Sequence, residues 1–330
     1  MKINIIGGSG FIGNSLYKRL KSTRKSPIKI LDKVLSVEFP QATSLCDVRF
    51  FEQLSAALDN NSIIINLAAE HRDNVHPTEL YYEVNVDGAS NICLVAREKN
   101  IKKIIFTSTV AVYGFAPPGT DEGGIIAPFH DYGKSKYAAE KIFREWQAEL
   151  PHERSLIIIR PTVVFGEKNR GNVYNLFKQI ASGRFLMIGN GFNRKSMAYV
   201  ENVAAFIDWS IDIGQGVHVF NYVDKPDFTM NQLVSLVNKF LGRSAGVGLK
   251  LPYRAGYLIG LCFDVISKIS GNNYPISGIR VKKFCANSVY GTSAEITDFT
   301  PPFSIEEALK KTINYEFIES HPNANIFYAE

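Results

Sequence analysis

The chain has 330 residues, of which 45% are hydrophobic and 21% charged, with a formal net charge of +5. That is the composition of an ordinary globular enzyme long enough for one large domain or two unequal ones; the charge is too mild for a nucleic-acid binder, and no basic run stands out. Four cysteines lie far apart without a Cys-x-x-Cys, so neither a disulfide framework nor a zinc site is indicated.

The first apolar strand, Lys2 to Ile6, leaves no room for a signal peptide, and no apolar run approaches the ~18 residues of a membrane span. A cytoplasmic protein is expected. The strand enters Gly7-Gly8-Ser9-Gly10-Phe11-Ile12-Gly13, and a helical pattern follows through Leu20. Gly7, Gly10 and Gly13 are the G-x-x-G-x-x-G variant of a dinucleotide fingerprint. Glycines there permit the tight turn, a close approach to a pyrophosphate, and close helix–strand packing. The helix start, Phe11 and Ile12 included, then faces the anion.

A second strand, Ile28 to Leu31, ends in Asp32. A carboxylate at this place accepts from a ribose 2′-hydroxyl and repels a 2′-phosphate, and Ser9 adds no arginine, so NAD is favoured over NADP despite Lys33. After a short third strand, Asp47, next to Val48, is suited either to the adenine amino group or to a turn. Ser62 to Asn66 reads as the fourth strand, followed by the small-residue corner Leu67-Ala68-Ala69. A long helix from Pro77 to Lys99 contains Asn85. The fifth strand, Ile101 to Phe106, delivers Ser108 and Thr109 at its carboxyl end.

Tyr132 and Lys136 stand four apart at the start of a helix running to Leu150, which places phenol and ammonium on one face. A neighbouring positive charge is expected to lower the phenol pKa toward neutrality, the condition for taking a proton from an alcohol and returning it. Leu156 to Ile159 is a sixth strand. Beyond Gly166 the alternation breaks, with a helix from Val173 to Ile180 and a stretch from Arg194 to Val200 that returns toward the sheet. The reading is α/β, a doubly wound parallel sheet over 1–166 with 196–223 returning to it. A smaller α+β cap over 167–195 and 224–330 is expected to close on the sheet's carboxyl edge.

Together, the glycine motif, Asp32, Asn85, Thr109 four residues before Tyr113, and Tyr132-x-x-x-Lys136 resemble the extended short-chain dehydrogenase/reductases, in the branch of NAD-dependent sugar epimerases and dehydratases. The resemblance covers essentially the whole chain. It implies that Thr109 and Tyr132 hydrogen-bond the sugar O4, that Tyr132 is the base, and that Lys136 holds the nicotinamide ribose. It also makes Tyr132, Lys136 and Asn85 part of the cofactor site. The stretches Leu67–Asp73, Thr107–Gly114, Arg160–Asn175, Lys195–Val200, Asn221–Asp227 and Arg280–Cys285 resemble the epimerases of that family that act on N-acetylglucosamine carried by undecaprenyl diphosphate.

The resemblance thus implies a polyprenyl-diphosphate-linked amino sugar as substrate, with a nucleotide-linked one as alternative. It implies C4 epimerisation for surface-polysaccharide synthesis, at the cytoplasmic face of the inner membrane. A homodimer through the helices Pro77–Lys99 and Tyr132–Leu150 is expected by the same analogy. Asn172, Arg194, Lys195 and Arg280 are candidates to hold the diphosphate. A 4,6-dehydratase would carry Asp-Glu after the catalytic Thr, where Val110-Ala111 stand here. A 4-keto-sugar reductase would use the same trio and stays open. A non-enzymatic NAD sensor would have no use for it.

Between Lys239 and Gly291 eight Lys/Arg face one acid, Asp264. Within that stretch Arg254 to Ile269 reads as a helix with Arg254, Asp264, Ser267 and Lys268 in one sector and apolar residues over most of the rest. Burial in the cap, a partner subunit and a membrane surface are all consistent with that pattern.

Overall fold

The computed structural model describes residues 1–72, 75–270, 277–322 and 324–328; Asp73, which ends one of the stretches named above, lies outside the described residues. The chain opens with β1 (Ile3–Ile6), α1 (Phe11–Thr23), β2 (Ile28–Asp32), β3 (Thr43–Leu45), α2 (Phe51–Ala57) and β4 (Ile63–Asn66). The next helix runs as α3 (Glu79–Tyr82), a π-helical turn over Glu83–Asp87, and α4 (Gly88–Glu98). The expected Pro77–Lys99 helix is therefore present, interrupted by one wide turn that carries Asn85. Then come β5 (Lys103–Thr107), α5 (Asp131–Ala148), β6 (Ser155–Pro161) and β7 (Val163–Phe165).

The remainder contains α6 (Asn172–Ala181), β8 (Met187–Ile188), β9 (Arg194–Tyr199), α7 (Val200–Ser210), β10 (Gly216–Tyr222), β11 (Asp224–Thr229) and α8 (Met230–Phe240). It closes with β12 (Lys250–Leu251), α9 (Tyr253–Ser270), α10 (Gly278–Cys285) and α11 (Ile305–Ile313).

Seven strands form one parallel sheet in the order β10-β6-β5-β4-β1-β2-β3. The inner strands are mostly apolar because helices cover both faces, with Asn4 and Asn66 among the buried polar exceptions. Ile64, Ile104, Phe106 and Ile158 pack with Leu54 of α2, Ile92 of α4 and Phe143 of α5. On the other face Ile5, Ile65 and Ile157 pack with Leu16 of α1 and Phe206 of α7. The strand order reverses between β1 and β4, the place where an open sheet of this kind leaves a crevice at its carboxyl edge. The stretch from Arg194 is β9, which pairs with β7 and β11 in a separate three-stranded sheet and then leads into α7 on the large sheet. A second apolar core, built on Phe177, Met197, Leu233, Val237 and Leu309, lies under that smaller sheet.

The crevice has its width set by absent side chains. Gly7 has φ +75°, and a Cβ there would lie 2.4 Å from the Ala68 amide nitrogen. A Cβ on Gly13 would lie 2.5 Å from the Gly8 backbone, whereas on Gly10 it would meet nothing closer than 3.5 Å. Backbone cannot yield as a flexible side chain does, so the two positions differ in kind. Gly13→Val should destabilise the fold by about 1–3 kcal/mol or more, while Gly10→Ala should melt close to wild type. Thermal unfolding of the two variants checks this; equal melting temperatures would overturn it.

Candidate active site

The carboxyl edge collects the candidate residues from five separate segments. The glycine turn after β1 is tied to its neighbours by Gly7 N–H donating to the Leu31 carbonyl and Leu67 N–H donating to Ile6. At the end of β2 the Asp32 carboxylate accepts from the Ser9 amide at 3.0 Å and the Val34 amide at 3.2 Å, and burial pushes its pKa up. α1 starts at a glycine N-cap with no side chain capping its first amides. An uncapped helix start behind a cradle that tolerates no Cβ suits a dinucleotide pyrophosphate, and Asp32 stands where a ribose would lie. These residues fit NAD. A polar loop closes over the same edge. Lys168 pairs with Glu38 across it at 2.5 Å, and the Phe327 ring sits 5.8 Å from that of Phe11.

Two of the expected cofactor residues have other employment. The Asp47 carboxylate is held by the Arg49 guanidinium at 2.7 Å and the Arg49 amide at 3.0 Å, contacts of a turn that keep its pKa low. Val48 beside it is buried against Gly88. Asn85, in the π-helical turn, accepts from the Glu70 amide at 2.9 Å and donates to the Glu70 carbonyl and the Ser135 hydroxyl. It therefore stitches the segment after β4 to α5. Leu67, Ala68 and Ala69 are half-buried at the crevice floor.

Thr109 follows β5 in extended conformation, its hydroxyl accepting from Ala111 N–H at 3.1 Å and drawing the Tyr132 phenol pKa down. Tyr132 is the second residue of α5, whose first turn is capped by His130 Nδ1 accepting from Gly133 N–H at 3.0 Å. One turn on, the Lys136 side chain is almost entirely buried, its ammonium 4.2 Å from the centre of the Phe106 ring. Burial lowers its pKa to about 7, opposed by the negative charge of Glu140.

The sequence predicted a phenol drawn toward neutrality by Lys136. The structure shows the reverse: burial pushes Tyr132 up to about 12, and the one group drawing it down is Thr109. Desolvation penalises phenolate and ammonium alike.

Behind this trio lies a buried polar network that the sequence did not reveal. Glu140, fully buried one turn beyond Lys136, receives the Arg160 guanidinium through two bonds, 2.9 and 2.5 Å, and the Ser108 hydroxyl at 2.5 Å. Arg160 also donates to the Tyr113 hydroxyl at 2.7 Å, which donates to Asn221 at 2.8 Å. A legible signal existed: Arg160 closes an unbroken apolar strand, and a cation there needs a buried anion.

The four diphosphate candidates differ in what already holds them. Lys195 is the clearest departure. Its ammonium donates to the carbonyls of Lys283 and Ala286 at 2.8 and 2.7 Å, capping the carboxyl end of α10, and burial lowers its pKa to about 8. Arg194 donates to the Asp227 carbonyl at 3.1 Å. Asn172, first residue of α6, and Arg280 on α10 are exposed. A pocket of about 340 Å³ adjoins the Lys195 cap, lined among others by Ile188, Asn190, Asn193, Tyr253 and Lys282.

Removing one partner of the Glu140–Arg160 pair leaves an uncompensated buried charge, at a cost of about 3–5 kcal/mol. Glu140→Ala should lower the melting temperature by several degrees and reduce cofactor binding with it. Arg160→Lys, which keeps the charge without the two-pronged geometry, should lie between. Calorimetry on the three proteins reads the order.

Comparison with known proteins places this geometry. A model of the NAD dependent epimerase/dehydratase family matches residues 3–222. The chain is 48% identical over 329 residues, 99% of its length and 98% of the relative's, to N-acetyl-alpha-D-glucosaminyl-diphospho-ditrans,octacis-undecaprenol 4-epimerase of Escherichia coli O157:H7. Among solved structures it superimposes on UDP-N-acetylglucosamine 4-epimerase from Bacillus cereus with a TM-score of 0.74 at 17% identity, covering 95% of this chain and 98% of that one. UDP-glucuronic acid 4-epimerase from Bacillus cereus, solved in complex with NAD, gives 0.72 at 17% identity over 96% and 98%. With the fingerprint, the switch-point crevice and the Thr109–Tyr132–Lys136 arrangement in place, this chain belongs to the NAD-dependent epimerase/dehydratase family.

Proposed function

We propose that the protein inverts C4 of N-acetylglucosamine carried on undecaprenyl diphosphate, giving the N-acetylgalactosamine lipid. The observation that carries the reaction type is a Tyr132 phenol whose pKa the Thr109 hydroxyl draws down, one helical turn from a buried Lys136. The 48% identity along 99% of the chain, well beyond residue 222, supports the substrate. Gly7, Ser9, Gly10, Phe11, Ile12 and Gly13 cradle the pyrophosphate of the cofactor in this reading, with Asp32 on a ribose and Lys136 on the other. NAD held there would supply the hydride acceptor and donor for C4.

The chain's own residues handle the proton and the pose. Tyr132 Oη exchanges the proton of the sugar 4-hydroxyl, and Thr109 hydrogen-bonds both that oxygen and the phenol, fixing which hydroxyl is presented. Val110 and Ala111 follow Thr109 in a tight turn and have no group to move a proton at C5, so elimination toward a 6-deoxy sugar is unsupported. Interactions with the diphosphate must hold the sugar without fixing its ring, since the ring has to present both faces. Arg194, Asn172 and Arg280 remain the side chains offered for that hold; Lys195 acts through the α10 cap. In the same reading, residues 167–195 and 224–330 are the substrate cap, and the α3–α4 helix with α5, where Tyr82 of α3 and Leu94 of α4 stay exposed, forms a homodimer interface.

Purified protein with NAD, given undecaprenyl-diphosphate-linked N-acetylglucosamine and UDP-N-acetylglucosamine in parallel, is expected to yield N-acetylgalactosamine from the lipid. Conversion of the UDP-sugar alone would replace the proposal with a nucleotide-sugar epimerase. Tyr132→Phe should lower kcat by about 10²–10⁴ with little change in KM. An unchanged kcat would remove Tyr132 from the proton transfer.

A further inference from the structure

α9 sits on the protein the wrong way round for a helix of a soluble protein. Its inward face carries Gly256, Gly260 and Asp264 between the half-buried rings of Tyr257 and Phe263. Gly256 lies against Ile188, so that a Cβ there would be 2.6 Å from that side chain, and a Cβ on Gly260 would be 2.8 Å from the backbone of Ser277 and Gly278. The Asp264 carboxylate accepts the Gly278 amide at 3.0 Å, spending the segment's one acid on the start of α10. At 100° per residue the opposite half-turn carries Leu258, Ile259, Leu261, Cys262, Val265 and Ile266. All are exposed, Leu258 by 62% and Val265 by 56%. Arg254 and Lys268 share that arc, also exposed.

The exposed surface continues beyond the helix. Ile279 of α10 is half exposed. Lys282 and Lys283 stand over the stacked rings of Phe115 and Phe129, both exposed, at 5.7 and 5.5 Å. Phe129 precedes His130, the cap of the helix that carries Tyr132. An exposed apolar face rimmed by cations marks an interaction site. Among the described residues no helix is long and apolar enough to cross a membrane.

We propose that the outward face of α9, with Ile279 and the Phe115–Phe129 pair, lies in the headgroup region of an anionic bilayer and holds the entrance of the catalytic crevice at that surface. Charge selects this occupant. The basic residues around the apolar arc have their one acid turned inward, so anionic headgroups complement the rim, whereas a second copy meeting the face in a two-fold contact would oppose cation to cation. Apolar side chains enter the acyl boundary while Arg254, Lys268, Lys282 and Lys283 stay with the phosphates. The inference deepens the proposed function, resting on it only for the substrate's being lipid-borne; the docking itself is measured without substrate.

The test is flotation of the full-length protein with vesicles of phosphatidylethanolamine and phosphatidylglycerol, against vesicles of phosphatidylcholine alone. The protein should float with the anionic vesicles and release with salt. L258S/L261S/I266S should bind at least ~10-fold more weakly with an unchanged melting temperature, because the replaced side chains are already exposed. Arg254→Glu with Lys268→Glu should weaken binding without touching an apolar group.

Wild type failing to float, or the triple variant floating like wild type, overturns the proposal. So does a wild-type dimer that the triple variant turns into monomer without any vesicle binding. Epimerisation of the lipid-linked sugar in detergent micelles is read separately. Inversion without vesicle binding defeats only the docking, and vesicle binding without inversion defeats only the proposed reaction.

Discussion

The site depends on an ion pair that touches none of its reacting atoms. Glu140 and Arg160 are buried together, and each arrives from an element whose end must be placed: α5 for Tyr132 and Lys136, β6 for the sheet's carboxyl edge. Ser108 brings β5 to the same carboxylate, and Tyr113 with Asn221 extends the network to the end of β10. A buried pair of this kind is a poor source of net stability, since desolvating both charges cancels most of their attraction. Its value is in alignment. Helix α5 cannot slide or rotate against the sheet without separating two desolvated charges, and so the phenol, the ammonium and the Thr109 hydroxyl keep one mutual position.

The same carboxylate explains how an ammonium persists in the apolar interior. Lys136 has lost nearly all its water and lies against the Phe106 face. Desolvation wins, bringing its pKa to about 7, and Glu140 is the charge that works against the fall. Tyr132 is driven the other way, to about 12. Left to the chain alone, the phenol holds its proton, and the Thr109 hydroxyl, which stabilises the phenolate, is the protein's contribution to letting it go. The expectation that Lys136 would perform that task weighed proximity along the helix and left out the shared desolvation.

What could be read from the sequence follows from how far each signal reaches. The glycine turn, the strand–helix alternation and the Tyr132–Lys136 spacing are local: a few consecutive residues contain the whole steric or periodic argument, and β1 through β6 fall where the pattern puts them. The sequence leaves Asp47 between adenine and a turn, and Asn85 and Lys195 enter through the resemblance. The structure gives each an internal partner: Arg49 two residues on for Asp47, the Glu70 backbone with Ser135 for Asn85, and the carbonyls ending α10 for Lys195, of which only the first is local. Glu140 and Arg160 meet across 20 positions and two elements, and only the folded sheet brings them together.

Helix α9 shows the same limit from the other side. The periodicity of 254–269 identified a broad apolar arc but could not say which arc faces the protein, because both orientations satisfy the pattern. Glycine decides it. Gly256 and Gly260 let the backbone approach Ile188 and α10 more closely than any side chain would allow, and Asp264 finds the unpaired amide at the start of α10. An apolar helix gains more from close backbone contact plus a solvated apolar face than from burial only if that face has another apolar phase to enter. Lys195, by capping α10 from β9, then couples the orientation of this hairpin to the small sheet beside the crevice. If the proposed substrate and docking hold, a diphosphate anchored by its lipid stays in the plane of the headgroups, and a crevice whose rim is fixed to that plane through α10 would bring the sugar to Tyr132 without lifting the lipid from the bilayer.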